Sequence, residues 1–149
     1  MESSPTYLTR QQAAPSTVTL QVAGDYQTLI PEESFVDSDV TSNRFQTTDS
    51  VTLNQNNLSG VTIEIITTQD STAYTLTLGS ATLTYTSGTG ESLATIAAGL
   101  QSVIDASNDF SATVINTQQI EVVFNDPFVS RNATITSNIS YRKVVKLVG

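Results

Sequence analysis

The 149-residue chain contains no cysteine, no histidine and no tryptophan. Without cysteine it forms no disulfide and has no thiol nucleophile, so its stability has to come from packing or from oligomerisation. Histidine is the usual general base and the commonest metal ligand, so its absence removes the residue type that most often fills either role. The only two lysines, Lys143 and Lys146, lie in a basic C-terminal segment, where we expect them to be solvated or ion-paired. We expect no enzymatic activity, no bound metal and no cofactor.

Basic residues are also scarce. The chain has six Lys and Arg against 14 Asp and Glu, a net charge of −8 and an isoelectric point near 4.1. Nucleic-acid binding relies on clustered Lys and Arg that neutralise phosphates, so we expect no direct nucleic-acid partner. No apolar run approaches the ~20 residues of a membrane helix. The N-terminus lacks the apolar stretch of a secretory signal, so we expect no membrane partner and folding in a cytoplasm.

The few basic residues are concentrated at the C-terminus. Residues 1–130 hold 14 acidic and two basic residues, a net charge of −12, whereas residues 131–149 hold four basic residues and no acidic one. Two interpretations are open. The basic segment either pairs with the acidic sheet of its own subunit or makes a head-to-tail contact with a neighbouring subunit, which complementary ends would favour.

Threonine and serine are abundant, at 24 and 18 residues, while charged residues make up only 13% of the chain. Threonine favours strands, and disordered chains carry more charge and fewer β-branched residues, so we expect a folded, β-rich protein. A chain of this length forms one ordinary domain with its own core. We predict an N-terminal arm over residues 1–16 and a single β-rich domain over residues 17–149.

Short alternating apolar stretches predict strands on either side of the middle of the chain. Such stretches lie at residues 18–22, 51–53, 61–65, 133–135, 139–141 and 144–147. Residues 31–49 show no period, and we expect a long loop there, anchored by Phe35 and Phe45. An apolar strand at the end of the chain is expected to pair, either in its own sheet or in a neighbour's.

Residues 72–124 combine a hairpin, a helix and a second hairpin. Apolar side chains alternate on both sides of Gly79-Ser80, whose glycine suits the first central position of a type II′ turn. They then recur at helical spacing before alternation returns. In chain order these side chains are Tyr74, Leu76, Leu78, Ala81, Leu83, Tyr85, Leu93, Ile96, Ala97, Leu100, Val103, Ile104, Phe110, Ala112, Val114, Ile120, Val122 and Phe124. The pattern predicts a small sheet with one helix on its apolar face.

The helix is expected to begin after Thr89-Gly90, with Glu91 in its first turn, where the helix dipole favours an acid. Asn108 tolerates the left-handed conformation and marks its expected end. Four side chains at helical spacing are predicted to face the sheet: Leu93, Ile96, Leu100 and Ile104. The expected fold is mainly β with one short α-helix (α+β), its antiparallel sheets forming a sandwich.

Three motifs match binding sites only in part. Residues 37–48 carry acids at the spacing of a calcium loop but lack its glycine and its closing glutamate. Residues 105–109 hold two Asp and an Asn that could chelate an ion, although these residue types are ordinary at caps and turns. Residues 88–91 lack both the full dinucleotide fingerprint and the lysine of a P-loop. We expect a solvated acidic loop, a capping turn and a turn leading into the helix.

The run YTLTLGSATLTYTSGTGESLATIAAGLQSVID resembles the small β-β-α-β-β modules of structural proteins in tailed-phage virions. In those modules a strand hairpin leads through a Gly/Thr-rich turn into a helix, and the likeness covers about residues 72–124. The resemblance implies assembly rather than catalysis, because such modules are building blocks of tails, baseplates and fibres.

The resemblance leads us to expect a structural subunit of a tailed-phage virion, made in the host cytoplasm and assembled into the tail, baseplate or fibre-attachment region. Its expected partners are further copies of itself and neighbouring virion proteins, joined by strand-edge pairing, arm exchange and charge complementarity. The expected assembly contact consists of Arg142, Lys143, Val144, Val145, Lys146 and Leu147. A head decoration protein is the first alternative, a carbohydrate-binding or adhesin module the second, and an enzyme the third.

Overall fold

The computed structural model describes residues 20–37, 44–126 and 128–148. These ranges contain twelve strands and one helix, which confirms the expected mainly β fold with one short helix. The strands are β1 (Leu20–Asp25), β2 (Leu29–Ile30), β3 (Phe35–Asp37), β4 (Arg44–Gln46), β5 (Val51–Thr52), β6 (Leu58–Ile65), β7 (Ala73–Leu78), β8 (Ala81–Thr86), β9 (Phe110–Asn116), β10 (Gln119–Phe124), β11 (Ala133–Ile135) and β12 (Ile139–Val148). The helix α1 spans Leu93–Asp105. The predicted N-terminal arm, residues 1–16, lies outside the described residues.

The strands form two larger sheets and two short pairs. The first sheet has five strands in the order β1-β12-β6-β10-β9, and the second has three in the order β11-β7-β8. Strands β2 and β5 pair with each other, as do β3 and β4. All of these pairs are antiparallel. The last strand of the chain therefore lies inside the five-stranded sheet, beside the first.

A single buried cluster joins both sheets and the helix. The three-stranded sheet contributes Tyr74, Leu76 and Leu78 from β7, and Leu83 from β8. The five-stranded sheet contributes Val61, Ile63, Ile65, Phe110, Ala112, Ile120, Val122, Phe124, Ile139 and Val144. The predicted alternation is confirmed in both hairpins, because period two puts every second side chain on the face that lines this core.

Gly79-Ser80 closes the first hairpin as predicted. Leu78 and Ala81 pair across it, so the loop has two residues. Gly79 has a φ of +63°, whereas the φ of Ser80 is not positive. A positive φ at the first central residue alone is the sign pattern of a type II′ turn.

The start of α1 differs from the expectation. Ser92 is the N-cap, and its side chain accepts a hydrogen bond from the Thr95 amide at 3.2 Å. Glu91 precedes the cap, so its predicted place in the first turn is wrong. Its carboxylate instead accepts a hydrogen bond from the Tyr85 hydroxyl at 2.8 Å. The short serine side chain reaches an unpaired amide of the first turn directly, and this contact sets the boundary.

The end of α1 also differs. The C-cap is Ala106, with a right-handed φ of −69°, so the predicted left-handed end at Asn108 is wrong. Asp105 accepts a hydrogen bond from the Ala112 amide at 2.7 Å, which ties the helix end to β9. The inward face is confirmed: three of the four predicted side chains are buried and the fourth packs partly buried against the core. The buried three are Ile96, Leu100 and Ile104.

The two hairpins of residues 72–124 do not share one sheet, so the predicted single small sheet is wrong. Strands β7 and β8 belong to the three-stranded sheet, and β9 and β10 to the five-stranded sheet. Helix α1 contacts both β8 and β9, which are edge strands of the two different sheets. Alternation within a hairpin decides which face is apolar, but distant strands decide the sheet to which it belongs.

Residues 31–49 are not a loop throughout. Strands β3 and β4 form a short hairpin with Phe35 opposite Gln46. Phe35 is 61% exposed, so the expectation that it anchors the segment is wrong within this chain. The Phe45 side chain and residues 38–43 lie outside the described part of the structure.

The C-terminal strand pairs as expected, and it does so within its own subunit. The stretches predicted at 139–141 and 144–147 are one strand, β12, with a register shift around Arg142. This strand pairs with β1 on one side and with β6 on the other. Both of its edges are therefore occupied by the same chain.

Candidate functional site

Arg142 of the predicted assembly contact lies at the irregularity in β12. Its Nε is 3.2 Å from Oε1 of Glu64, with the Arg142 side chain 55% exposed and that of Glu64 19% exposed. The other Glu64 oxygen accepts a hydrogen bond from Gln118 Nε2 at 2.7 Å. One basic residue of the C-terminal segment therefore pairs with an acid of its own sheet.

Lys146 is buried, at 8% exposure. Its Nζ donates to the Asn54 Oδ1 at 2.9 Å and to the Thr52 carbonyl at 3.3 Å. No carboxylate within the described ranges forms an ion pair with it. Burial lowers the pKa of the Lys146 ammonium. The expectation that this lysine is solvated or ion-paired is therefore wrong, because two neutral oxygens hold it.

The apolar members of the segment serve the sheet. Val144 is fully buried in the core. Val145 lies over Gly60, where a Cβ would come within 3.3 Å of its Cγ2. Leu147 pairs through its backbone with β1, and its side chain lies outside the described part of the structure. Among the described side chains of the segment, only those of Arg142 and Lys143 are exposed. Contact of these two residues with another subunit stays a prediction.

The outer face of the five-stranded sheet carries rows of side chains that are paired across the strands. One row is polar, with charges of both signs, and consists of Asp25, Lys143, Thr62, Glu121 and Thr113. The adjacent row is small or apolar and consists of Ala23, Val145, Gly60, Val123 and Ser111. Val123 is 52% exposed and Ile115, farther along β9, is 50% exposed. The face therefore offers both charge and apolar surface.

A cleft of about 390 Å³ opens on this face, and we call it the outer-face cleft. Its lining residues are Asp25, Tyr26, Thr62, Ile115, Gln119, Tyr141, Arg142 and Lys143. The rings of Tyr26 and Tyr141 lie 4.8 Å apart between centroids. Burial, and then the neighbouring Tyr26, raises the pKa of Tyr141 to about 12. Two cations thus border a partly apolar cavity.

Sequence reasoning identified the cations of the outer-face cleft but missed its other wall. The sequence does contain a signal for this wall. Ser111, Thr113 and Ile115 are alternate residues of β9 and share one face, so the sequence places an exposed apolar side chain after two polar ones. The sequence does not predict that Ile115 of β9 lines the same cleft as residues of β12, because β10 and β6 lie between those two strands in the sheet.

The β3–β4 hairpin and its base, residues 31–37 and 44–49, form a separate two-stranded unit that we call the hairpin arm. Its strands pair only with each other among the described strands. The hydroxyls of Ser34 and Thr47 both donate to the Pro31 carbonyl, at 2.6 and 2.9 Å, and so hold the base of the arm. Phe35 lies exposed under the Arg44 guanidinium, 5.0 Å from ring centroid to Cζ. The arm therefore presents an aromatic ring on a hydrogen-bonded base.

The outer face of the three-stranded sheet is lined with threonine. Its rows are Thr134-Thr77-Thr82 and Thr136-Thr75-Thr84. The Oγ1 atoms of Thr75 and Thr84 lie 2.9 Å apart, so neighbouring hydroxyls bond to one another. Threonine is favoured in strands, and the T-x-T pattern of this face follows from that preference.

A second, shallower cleft of about 570 Å³ lies beside the Gly79 turn. Its lining residues are Asn57, Thr77, Gly79, Val129, Ser130, Arg131, Asn132 and Thr134. Arg131 Nη2 is 3.7 Å from Asp109, and its guanidinium stands 5.0 Å above the Phe110 ring. Phe128, just before this segment, is 81% exposed. The cleft is rich in amides and hydroxyls and has an exposed aromatic nearby in sequence.

The partial motifs engage the protein itself. Asp109 faces Arg131, and the turn at 88–91 is tied by a hydrogen bond from the Gly90 amide to Asp70 at 2.8 Å. Asp39, within the calcium-like spacing, lies outside the described residues. Within residues 20–37, 44–126 and 128–148, no three acidic side chains are grouped so that they could hold a metal ion. In the same part of the chain no helix is long and apolar enough to cross a bilayer.

The chain matches no known family model, and no curated protein matches its sequence significantly.

Proposed function

We propose that the protein is a non-enzymatic structural subunit of a tailed-phage virion, which assembles with further copies of itself in the tail, baseplate or fibre-attachment region. The observation that carries the proposal is the hairpin arm, which pairs with no other described strand and exposes Phe35. An isolated two-stranded hairpin is at best marginally stable in water, so packing on a further surface would stabilise it.

The exposed apolar side chains of the described chain point the same way. Single exposed apolar residues are normal on a soluble protein. Here, however, Phe35 at 61% exposure lies within the arm and Leu29 at 59% beside it. Ile115 and Val123 are exposed on the outer sheet face, where Val123 is opposite Ser111, four positions along β9 from Ile115. Exposed apolar side chains at two places on one subunit favour association between subunits.

The virion part of the proposal is supported by the order of elements that carries the resemblance. Hairpin β7–β8, helix α1 and hairpin β9–β10 follow one another over Ala73–Phe124. In the modules that this stretch resembles, the same order belongs to assembling proteins of tails, baseplates and fibres. Partners would then be neighbouring virion proteins as well as identical subunits.

The proposal is tested by the oligomeric state and by location. Multi-angle light scattering of the purified chain over a range of concentrations is expected to reveal a homo-oligomer. Immunogold electron microscopy of purified virions is expected to label the tail, the baseplate or the fibre attachment. Label over the head would favour a decoration protein instead, and virions that lack the protein altogether would overturn the proposal.

A carbohydrate-binding or adhesin module is the second candidate, favoured by the shallow cleft beside Gly79. Its amides and hydroxyls, from Asn57, Asn132 and Thr134, are groups that hydrogen-bond to sugar hydroxyls. Phe128, 81% exposed, could stack on a sugar ring. Glycan-array binding that is lost in Phe128→Ala and retained in Phe35→Ala would favour this candidate over assembly.

A further inference from the structure

We infer that the hairpin arm of one subunit docks into the outer-face cleft of a second copy, which gives head-to-tail assembly. The inference rests on the proposed function and deepens it by naming the receiving surface. Arm and cleft are different patches of the same chain, so docking in one direction leaves a free arm and a free cleft at the ends, and repetition generates a ring or a filament.

Charge complementarity is the first argument. The described part of the arm exposes three carboxylates, on Glu32, Glu33 and Asp49, and one cation, Arg44, a net charge of −2. The cleft is lined by two exposed cations, Arg142 and Lys143, and one exposed carboxylate, Asp25, a net charge of +1, and Arg142 also pairs with Glu64 at its border. Opposite potentials across an interface steer encounter and fix its register. The acidic arm and the basic border of the cleft therefore suit each other.

Apolar and size complementarity is the second argument. Phe35 on the arm is an exposed aromatic ring, the side-chain type that most often anchors an interface. The cleft offers Ile115, 50% exposed, as an apolar wall. Its volume of about 390 Å³ lies within the range of pockets that hold drug-sized molecules, so a phenyl ring and adjoining backbone fit inside.

The described residues of the arm do not fill the cleft of their own subunit. No residue of the arm lines the cleft, and Phe35 remains exposed in the described chain. Of the residues that line the cleft, Asp25 and Tyr26 lie nearest to the arm in sequence. A second copy is therefore the occupant that supplies both the acidic charge and the aromatic ring.

Disulfide trapping tests the contact, because the native chain has no cysteine and each introduced cysteine is unique. Gln46→Cys places a thiol opposite Phe35 in the hairpin, and Thr113→Cys places one on the face that bears Ile115. Thr82→Cys is the matched control, an exposed threonine on β8 of the other sheet. In each experiment two cysteine variants, one of them tagged, are mixed under mild oxidation, and the disulfide-linked heterodimer is measured. The mixture of Gln46→Cys and Thr113→Cys is expected to form several-fold more heterodimer than the mixture of Gln46→Cys and Thr82→Cys.

A second variant separates the possible failures. Phe35→Ser is expected to raise the dissociation constant of self-association about tenfold or more, as loss of an aromatic anchor does. Its melting temperature as a monomer should stay unchanged, because Phe35 is exposed. An oligomer with equal trapping in both cysteine pairs would overturn the docking site and leave the proposed function standing. A chain that light scattering finds monomeric at every concentration would overturn both.

Discussion

At the scale of single residues, the basic C-terminal segment divides into three environments. Arg142 pairs with Glu64, Lys143 is exposed beside the outer-face cleft, and Lys146 is buried against two neutral oxygens. One stretch of sequence with uniform charge thus performs different roles. Burying a charged group without a charged partner costs free energy, so Lys146 is the residue whose ionisation should be coupled to folding.

Stability should depend on pH through Lys146. Its pKa lies below the ordinary value of 10.5 in the folded chain, so the unfolded chain binds more protons. The cost of burying the charge is therefore present below the folded pKa and is relieved as pH rises towards the unfolded value. Between neutral pH and about pH 10, the unfolding free energy of the native chain should rise relative to that of Lys146→Met.

Urea denaturation at a series of pH values measures this difference. Lys143→Met is the control, and its curve should run parallel to that of the native chain because Lys143 is exposed. If Lys146→Met also ran parallel, its ammonium would be solvated in the folded state and the described burial would be wrong.

Gly99 shows how packing overrides helix propensity. A Cβ at this position would lie 2.2 Å from Cε1 of Tyr85, whose hydroxyl is held by Glu91. Alanine normally favours a helix over glycine by about 1 kcal/mol, but here it would push the ring away. Gly99→Ala should therefore destabilise the protein by about 1–3 kcal/mol, as overpacking does.

A double-mutant cycle with Tyr85→Ala tests this explanation through chemical denaturation. Once the ring is gone, Gly99→Ala should become neutral or stabilising. A loss of equal size in both backgrounds would mean that glycine is required for another reason.

At the scale of elements, α1 shows which features local sequence determines. The spacing of its apolar residues identified the inward face correctly, because 3.6 residues per turn leaves few alternatives. The predicted ends of the helix are wrong. They depend on hydrogen bonds that Ser92 and Asp105 accept from backbone amides, and the spacing of apolar residues does not predict those bonds. The arm was missed since a hairpin of three-residue strands has almost no period.

Leu100 tests the helix core. The residue is fully buried between the helix and the sheets, so Leu100→Ala should lower the unfolding free energy by about 2–5 kcal/mol. Ser102→Ala on the exposed side of the same helix is the control and should stay within about 0.5 kcal/mol. An unchanged denaturation midpoint for Leu100→Ala would contradict the packing of α1 described above.

At the scale of the whole molecule, β12 joins the two ends of the chain. It lies between β1 and β6, two strands from the first half of the chain, and pairs with both of them. Deleting residues 142–149 removes the whole β1–β12 ladder and four of the seven residue pairs between β12 and β6. We expect the truncated chain to melt at a clearly lower temperature or to remain unfolded, rather than only to lose assembly.

Circular dichroism and light scattering of the truncated chain separate these outcomes. Removal of residues 1–16 leaves every described strand intact and serves as the control for truncation at the other end of the chain. Native-like melting of the 142–149 deletion together with loss of the oligomer would instead place the segment between subunits.

The sequence by itself determined the mainly β class, the single helix with its buried face, the Gly79-Ser80 turn and the apolar side of each hairpin. These features depend on contacts within a few residues, where side-chain period and turn chemistry act directly. Only the tertiary structure decided that the two hairpins enter different sheets, that β12 lies inside the larger one, and that Lys146 is buried. The reason is that the backbone groups at the edge of a sheet can pair with any strand that runs in the opposite direction and has a matching pattern of apolar residues. The choice among strands far apart in sequence depends on the burial that the whole chain achieves.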